Sequence, residues 1–215
     1  MKLDNYKTLV FDCDGVVLNS NQIKTQAFYE AAAPYGKDAA QALVTYHVRN
    51  GGISRYEKFK YFLREIINDE SGGPDIDDLL RVYAKSVWQG LLTCEVAPGI
   101  KALREMTSHA NWLIVSGGNQ EELHQVFRFR GLDYLFDGGI FGSPDNKDLI
   151  LSREIASANI KSPGIFIGDS RYDYEAAKRA SLDFVFANKW SEVRDLGEWL
   201  PIEIPIISGL SDIVG

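Results

Sequence analysis

Two aspartates, Asp12 and Asp14, lie one residue apart in the segment LVFDCDGVVLNSN, directly after a short apolar run. Carboxylates this close repel each other unless a cation or a proton lies beside them. An ionised carboxylate can act as a nucleophile, whereas a carboxyl that carries a proton can act as a general acid. The pair therefore predicts a site of nucleophilic or acid–base chemistry with positive charge close by.

More polar residues follow two later apolar runs. Ser116, Gly117 and Gly118 follow WLIV at 112–115, and Asp169 and Asp173 follow GIFI at 164–167. Lys147 lies just before the helix-like segment that leads to the second of these runs. In open α/β sheets, ligands bind outside the carboxyl ends of the strands. We therefore expect all of these side chains to share one pocket with the aspartate pair.

The charges of this pocket favour a magnesium and phosphate site. Its four aspartates cannot all be ionised without compensation, and Mg²⁺ takes carboxylate oxygens together with substrate phosphate. Lys147 adds a second positive charge. Ser116 and the backbone N–H groups of Gly117 and Gly118, expected at a helix start, offer donors for phosphate oxygens. Charge neutralisation and oriented donors are what phosphoryl transfer requires.

The elements that must position these residues are short buried strands alternating with helices. Continuous apolar runs at 8–11, 112–115, 164–167 and 183–187 indicate strands that are covered on both faces, as in a parallel sheet. Helix-like segments lie between the later runs, at about 99–107, 119–130, 146–159 and 172–180. The pattern predicts an α/β fold with a Rossmann-like doubly wound parallel sheet.

Residues 20–92 interrupt this alternation, because they contain four helix-like segments and no strand-like run. The simplest interpretation is an all-helical cap domain inserted after the first strand. We therefore predict a catalytic core formed by residues 1–19 and 93–215 and a cap formed by residues 20–92.

Composition narrows the class of protein. The 215 residues are 45% hydrophobic and 25% charged, which is typical of a globular protein. A net charge of −7 without a basic block argues against a nucleic-acid partner, and no apolar run could span a membrane. The beginning of the chain lacks the pattern of a secretory signal. With only Cys13 and Cys94 as cysteines, we expect a cytoplasmic protein; the oligomeric state stays open.

Four segments, FDCDGVVLNS, LIVSGG, GSPDNK and IGDSRYDYEAA, match in order the four motifs of the haloacid dehalogenase-like superfamily. The chain resembles the branch of that superfamily that contains phosphoglycolate phosphatase and β-phosphoglucomutase, in which a helical cap follows the first strand. The resemblance covers nearly the whole chain. It implies that Asp12 is the nucleophile that forms an aspartyl-phosphate, and that Asp14 is the general acid and base.

The same resemblance implies a Mg²⁺ ion bound by Asp12, the backbone carbonyl of Asp14 and Asp169, with Asp173 in support. Ser116 and Lys147 would bind the transferring phosphoryl group. The second aspartate favours phosphate esters, because haloacid dehalogenases proper typically lack it. Asp173 alone could equally cap the helix that begins near Tyr172.

Two residues of the predicted cap are candidates for substrate contacts, alongside Gly117 and Gly118 of the core. Arg55 lies where β-phosphoglucomutase has a substrate-contacting position, although an ordinary surface arginine fits the sequence about as well. Lys24 lies where that enzyme carries a histidine tied to its mutase cycle, and it could also be simply exposed. His47 and Arg49 are weaker candidates.

The function predicted from the sequence is a Mg²⁺-dependent phosphatase that hydrolyses a small phosphorylated metabolite, with a sugar phosphate favoured. One alternative is a phosphomutase of the β-phosphoglucomutase kind, against which Lys24 argues. A second alternative is a noncatalytic phosphate-binding protein on the same fold, which predicts damaged motifs.

Overall fold

A parallel six-stranded sheet forms the centre of the computed structural model, which describes residues 3–67 and 72–214. The strands are β1 (Thr8–Phe11), β2 (Asn111–Asn119), β3 (Gly139–Ser143), β4 (Gly164–Gly168), β5 (Asp183–Ala187) and β6 (Ile206–Ile207). Their order is β3-β2-β1-β4-β5-β6, so the chain winds outward in both directions from the β1–β4 pair. The predicted α/β class with a doubly wound parallel sheet is confirmed.

The four predicted strands are present, and the sequence pattern missed two more. β3 has the sequence GIFGS, whose three small residues hide the apolar signal, and β6 is only two residues long. β2 also runs further than expected, through Ser116 to Asn119.

Five helices accompany the sheet among the described residues, one before β2 and the others after β2 or later strands. They are α5 (Ile100–Met106), α6 (Gln120–Phe129), α7 (Lys147–Ala156), α8 (Arg171–Arg179) and α9 (Ser211–Val214). Asn119 caps α6 by accepting a hydrogen bond from the backbone N–H of Glu122. The helix start expected at Gly117 and Gly118 therefore lies further along the chain, because those glycines belong to the irregular end of β2.

The segment between β1 and β2 is helical. It contains α1 (Asn21–Ala32), α2 (Lys37–Arg49), α3 (Arg55–Tyr61), a π-helical turn (Phe62–Ile67) and α4 (Ile76–Thr93). Helix α1 packs against α2 and α4. Residues 68–71 of the predicted cap, and residues 1–2 and 215 of the predicted core, lie outside the described residues. The predicted division into a core and a cap stays a prediction. We call the elements from α1 to α4 the helical insertion.

Two backbone segments connect the helical insertion to the sheet, and they run side by side. Asn19 donates its backbone N–H to the carbonyl of Glu95, and Ala97 donates to the carbonyl of Val17, each at 2.9 Å. The segment that enters the helical insertion and the segment that leaves it are thus hydrogen-bonded to each other.

Alternate residues of each strand pack into opposite apolar layers. Along β1, Phe11 faces the layer that continues into the helical insertion, whereas Val10 faces the layer under α7 and α8. Burial on both faces explains why the strands read as continuous apolar runs. Within the described residues, no helix is long and apolar enough to cross a membrane.

The two phenylalanines of α6 test this account of the core. Phe127 is fully buried and packs edge-on against Phe136, whereas Phe129 is 73% exposed. We expect Phe127→Ala to lower the free energy of unfolding by about 3–5 kcal/mol, because it leaves a cavity in the core. The matched change Phe129→Ala should stay within about 0.5 kcal/mol. Urea denaturation measures both, and equal losses would contradict the packing described here.

Candidate active site

The ends of the two central strands bring three carboxyl groups together. Asp12 follows β1 directly and donates its backbone N–H to the carbonyl of Ile167 in β4, at 2.9 Å. Asp169 follows β4, and Asp173 lies in the first turn of α8. One carboxylate oxygen from each of the three aspartates lies within 4.8 Å of the others. The sheet topology thus produces the cluster that the sequence predicted.

Lys147 is the one ammonium group in direct contact with this cluster in the described structure. Its Nζ lies 2.9 Å from Oδ1 of Asp12 and also donates to Oδ1 of Asp173. Burial by itself lowers the pKa of Lys147, but the two carboxylates raise it far above its ordinary value. Lys147 therefore keeps its proton inside the protein.

One ammonium does not neutralise three buried carboxylates. Burial is the main reason that the pKa of Asp12 is raised to about 7; Lys147 opposes this effect, and Asp173 and Asp14 add to it. The pKa of Asp169 is raised well above its ordinary value, first by burial and then by repulsion from Asp12 and Asp173. The cluster has an excess of negative charge.

This excess fits a bound divalent cation. The donors are carboxylate oxygens, which are the ligands that Mg²⁺ prefers, and Asp12 and Asp169 both line the cavity above the cluster. A dication beside them would favour the ionised forms that burial disfavours. Asp12 and Asp169 are therefore the residues whose side chains could hold the metal.

The two oxygens of Asp12 have different surroundings. Oδ1 accepts hydrogen bonds from Lys147 and from the backbone N–H of Cys13. Oδ2 accepts none from the described residues. Because Asp12 lines the cavity, it can offer an oxygen with free lone pairs to a ligand there.

Asp173 is fully committed to the protein. Its Oδ2 accepts hydrogen bonds from the hydroxyl and the backbone N–H of Ser170, forming a capping box at the start of α8, and its Oδ1 accepts from Lys147. Both roles considered from the sequence therefore meet in this residue: it caps the helix, and it lies beside the candidate metal ligands. Its contacts suit a residue that positions Lys147.

Asp14 lies in the same cavity but forms an ion pair with the helical insertion. Its Oδ2 is 2.5 Å from Nζ of Lys24, and its Oδ1 accepts a hydrogen bond from Ser20 at 2.6 Å. Burial raises the pKa of Asp14, but Lys24 and Ser20 outweigh it, so the pKa is lowered. Asp14 is thus ionised in this arrangement. Lys24 lies in the pocket, as one of the two sequence interpretations expected.

Ser116, Gly117 and Gly118 lie together at the end of β2. The hydroxyl oxygen of Ser116 accepts the backbone N–H of Gly118 at 3.0 Å, so that N–H is already used. Gly117 and Gly118 line the cavity, while Ser116 is buried just behind its surface.

A loop of the helical insertion lies directly on the core. A Cβ atom on Gly117 would meet the carbonyl oxygen of Gly52 at 2.2 Å, and one on Gly51 would meet Cβ of Ser170 at 3.1 Å. The loop therefore lies over the space between β2 and β4. The cavity beneath it has a volume of about 60 Å³, which is the space of a few water molecules.

Arg55 also lines the cavity, yet its guanidinium has a protein partner. Both of its Nη atoms donate to the carboxylate of Glu122 in α6, and its Cζ lies 4.4 Å from the ring centre of Tyr83. The pair connects the helical insertion to the core. Contact between Arg55 and a substrate stays a prediction.

The sequence interpretation missed several residues of the site. Asn21, the first residue of α1, donates to Oδ2 of Asp169 at 2.7 Å. Gly15 has a φ of +75°, and a Cβ there would lie 2.0 Å from the same oxygen. Lys58, buried in α3, lines the cavity with His47. The positive φ and close approach require glycine, but these side-chain contacts depend on tertiary structure that sequence spacing does not reveal.

Comparison with known proteins agrees with this geometry. The family model for haloacid dehalogenase-like hydrolases matches residues 6–181. The chain therefore belongs to the haloacid dehalogenase-like hydrolase family, and the predicted family and enzyme class are confirmed. Among curated proteins, no sequence match was found.

Solved structures with the same fold cover nearly the whole chain. A predicted phosphoglycolate phosphatase from Haemophilus somnus is 17% identical, with a TM-score of 0.73 over 99% of this chain and 98% of its own. CbbY from Rhodobacter sphaeroides, in complex with phosphate, is 16% identical, with a TM-score of 0.70 over 97% and 96%. YfnB from Bacillus subtilis, bound to magnesium, is 19% identical, with a TM-score of 0.69 over 97% of each chain. At these identities the likeness shows the fold.

A metal titration tests the carboxylate cluster. We expect Asp169→Asn to weaken Mg²⁺ binding by at least about tenfold, because it removes a charged ligand. The exposed change Asp133→Asn serves as the matched control and should leave binding unaltered. Isothermal titration calorimetry measures both.

The same variant separates lost binding from lost folding. The raised pKa of Asp169 means that its ionised form opposes folding at neutral pH. In EDTA, Asp169→Asn should therefore be at least as stable as the unchanged protein. Unaltered Mg²⁺ affinity in a folded variant would rule out Asp169 as a ligand.

Proposed function

We propose that this hydrolase is a Mg²⁺-dependent phosphatase of small phosphorylated metabolites and that it works through an aspartyl-phosphate on Asp12. The main support is the Asp12 carboxylate itself. Its Oδ1 is fixed by Lys147 and a backbone N–H, whereas its Oδ2 has no partner among the described residues. A fixed carboxylate with one oxygen open to a cavity is suited to in-line attack on phosphorus.

In the first step, Oδ2 of Asp12 attacks the phosphorus atom and the bond from phosphorus to the ester oxygen breaks. The phosphoryl group is then bonded to Asp12, and the alcohol takes a proton as it leaves. In the second step, water attacks the same phosphorus and loses a proton to Asp14, while the bond from phosphorus to Oδ2 of Asp12 breaks. This releases inorganic phosphate and restores the free carboxylate of Asp12. Mg²⁺, when bound by Asp12 and Asp169, supplies charge neutralisation for the phosphoryl oxygens.

Asp14 is the group that moves these protons. It is ionised while Lys24 and Ser20 hold it, which suits acceptance of a proton from water. A bound phosphate ester carries two negative charges, which raise the pKa of the neighbouring Asp14. Asp14 therefore binds a proton more readily when substrate is present, and it can give that proton to the leaving alcohol. Ser116 and Lys147 would fix the phosphoryl group and the nucleophile in line.

The helical insertion would act as the cap that excludes water. In this structure the loop with Gly52 lies on Gly117, and the Arg55–Glu122 pair connects the two parts. Closure of this kind strengthens every electrostatic interaction inside the site.

Replacing the nucleophile is the direct test. With p-nitrophenyl phosphate or a hexose 1-phosphate as substrate and Mg²⁺ present, we expect Asp12→Asn to lower kcat by at least about 10³-fold. The exposed change Asp133→Asn should leave kcat unaltered, and EDTA should abolish turnover of the unchanged enzyme. Release of free phosphate from hexose 1-phosphate supports hydrolysis, whereas an isomerised ester would identify a mutase.

The covalent step has its own signature. Acid quenching during turnover should trap phosphate on Asp12, which mass spectrometry of the digested protein detects. A folded wild-type protein that hydrolyses no phosphate ester with Mg²⁺ would refute the proposal and favour the noncatalytic alternative.

A second prediction concerns closure. Gly117→Ala places a methyl group where the carbonyl oxygen of Gly52 now lies. The loop must move away, so we expect kcat/KM to fall by about 10²-fold. Gly197→Ala, where no atom lies within 4 Å of the new methyl group, is the control. Thermal unfolding should show both variants folded, and an active Gly117→Ala enzyme would show that this contact is dispensable.

A further inference from the structure

The side of the cavity formed by the helical insertion carries four basic side chains, and they differ in whether an acid neutralises them. The four are Lys24, His47, Arg55 and Lys58. Lys24 forms an ion pair with Asp14, and Arg55 forms one with Glu122. Among the described residues Lys58 has no such partner, and the acid nearest to His47 is Glu192, at 3.9 Å.

Lys58 is a buried amine without an anion. It is 2% exposed, although its side chain lines the cavity. Its Nζ contacts Nδ1 of His47 at 2.7 Å and lies 5.5 Å from the ring centre of Phe28. Among the described residues, no carboxylate oxygen lies within 4.0 Å of this nitrogen.

His47 holds Lys58 in place and leaves a second donor unused. An ammonium group only donates, so Nδ1 of His47 accepts from Lys58 and the ring hydrogen lies on Nε2. Burial and then the charge of Lys58 lower the pKa of His47 well below its ordinary value, which agrees with a neutral ring. Nε2 is buried and has no hydrogen-bond partner.

The nearest acid does not fill this gap. Oε2 of Glu192 lies 3.9 Å from Nε2 of His47, and both carboxylate oxygens of Glu192 accept from the hydroxyl of Thr25, at 3.0 and 2.8 Å. Lys58 and His47 both line the cavity, and each keeps a hydrogen-bond donor that the described residues leave unused.

A buried ammonium without an anion is unfavourable. Burial, followed by repulsion from Lys24, lowers the pKa of Lys58 to about 7. An anion from a ligand would oppose both effects and raise the pKa of Lys58 again. Lys58 lines the same cavity as Asp12, the candidate nucleophile.

We propose that Lys58, oriented by His47, is a second anion site that binds a carboxylate or a second phosphate on the alcohol part of the substrate. This inference rests on the proposed phosphatase function, because Asp12 and Asp14 must take the phosphoryl end of the same molecule. The preferred substrates are therefore phosphate monoesters that carry a further negative charge on the alcohol part, which narrows the sugar phosphate or related phosphoester that the sequence favoured.

Selectivity follows from the unpaired amine. A substrate with an anionic group pairs with Lys58, whereas an analogue with a hydroxyl in its place leaves the ammonium buried and unpaired. When a buried polar group of the protein pairs with a group of the substrate, an analogue that lacks this group is strongly rejected, because the protein group is left unpaired.

Two pairs of substrates test the site with Mg²⁺ present. Phosphoglycolate and 2-hydroxyethyl phosphate differ in a carboxylate, and glucose 1,6-bisphosphate and glucose 1-phosphate differ in a second phosphate. The variants are Lys58→Met and, as matched control, Lys60→Met, which changes an exposed lysine of the same helix. We expect Lys58→Met to lower kcat/KM for the preferred anionic substrate by about 10- to 100-fold. For the counterpart without the extra anionic group, Lys58→Met should alter kcat/KM by less than about threefold. Lys60→Met should leave kcat/KM for both substrates unaltered.

The pair that shows the effect identifies the anion. Lys58→Gln repeats the test with a polar side chain, and thermal unfolding checks that each variant is folded. One result refutes the second anion site and leaves the phosphatase function standing. In it, the unchanged enzyme hydrolyses the esters without the extra anionic group, and kcat/KM of the folded Lys58 variants falls equally for both substrates of a pair. If the unchanged enzyme hydrolyses no phosphate ester, both proposals are overturned.

Discussion

Repulsion among the buried carboxylates of Asp12, Asp169 and Asp173 is the constraint on which the rest of the site depends. The order of the strands places these groups together, and Lys147 neutralises only part of their charge. The hydrogen bonds around these carboxylates differ from one aspartate to the next. Asp173 is held by Ser170 and Lys147, whereas Asp12 keeps an oxygen free. A cluster that is costly to bury is thereby kept in a form that a metal and a phosphate ester can use.

The helical insertion contributes basic side chains to the cavity, and the core contributes acidic ones. Lys24 neutralises Asp14, and Arg55 connects to the core through Glu122. Lys58 contacts His47 and has no carboxylate partner among the described residues. The two sides of the cavity therefore carry opposite charge, although the whole chain has a net charge of −7. Local charge decides which anion binds, because the nearby groups act at short range inside a site with little water.

The sequence predicted the sheet and its acidic edge because those features have local signals. Continuous apolar runs mark strands that are buried on both faces, and aspartates that follow parallel strands must meet at one edge. β3 escaped prediction because its glycines and serine carry no apolar pattern. The contact of Asn21 could not be predicted either, because it joins residues far apart in the chain. The contact of Lys58 with His47 depends on how two consecutive helices pack, which sequence spacing does not reveal. For Arg55, the resemblance to a substrate-contacting position of β-phosphoglucomutase suggested contact with a ligand, whereas the structure gives its guanidinium a protein partner, Glu122.

The paired connections between the sheet and the helical insertion have a mechanical consequence. Because Val17 and Asn19 are hydrogen-bonded to Ala97 and Glu95, the two connections must bend together as one ribbon. A ribbon bends easily across its flat face and resists shear in its plane, so the helices would swing about a single axis. Asp14 forms an isolated bridge with Leu18 at the base of this ribbon. A swing of the helices about this axis would therefore also move the backbone of Asp14.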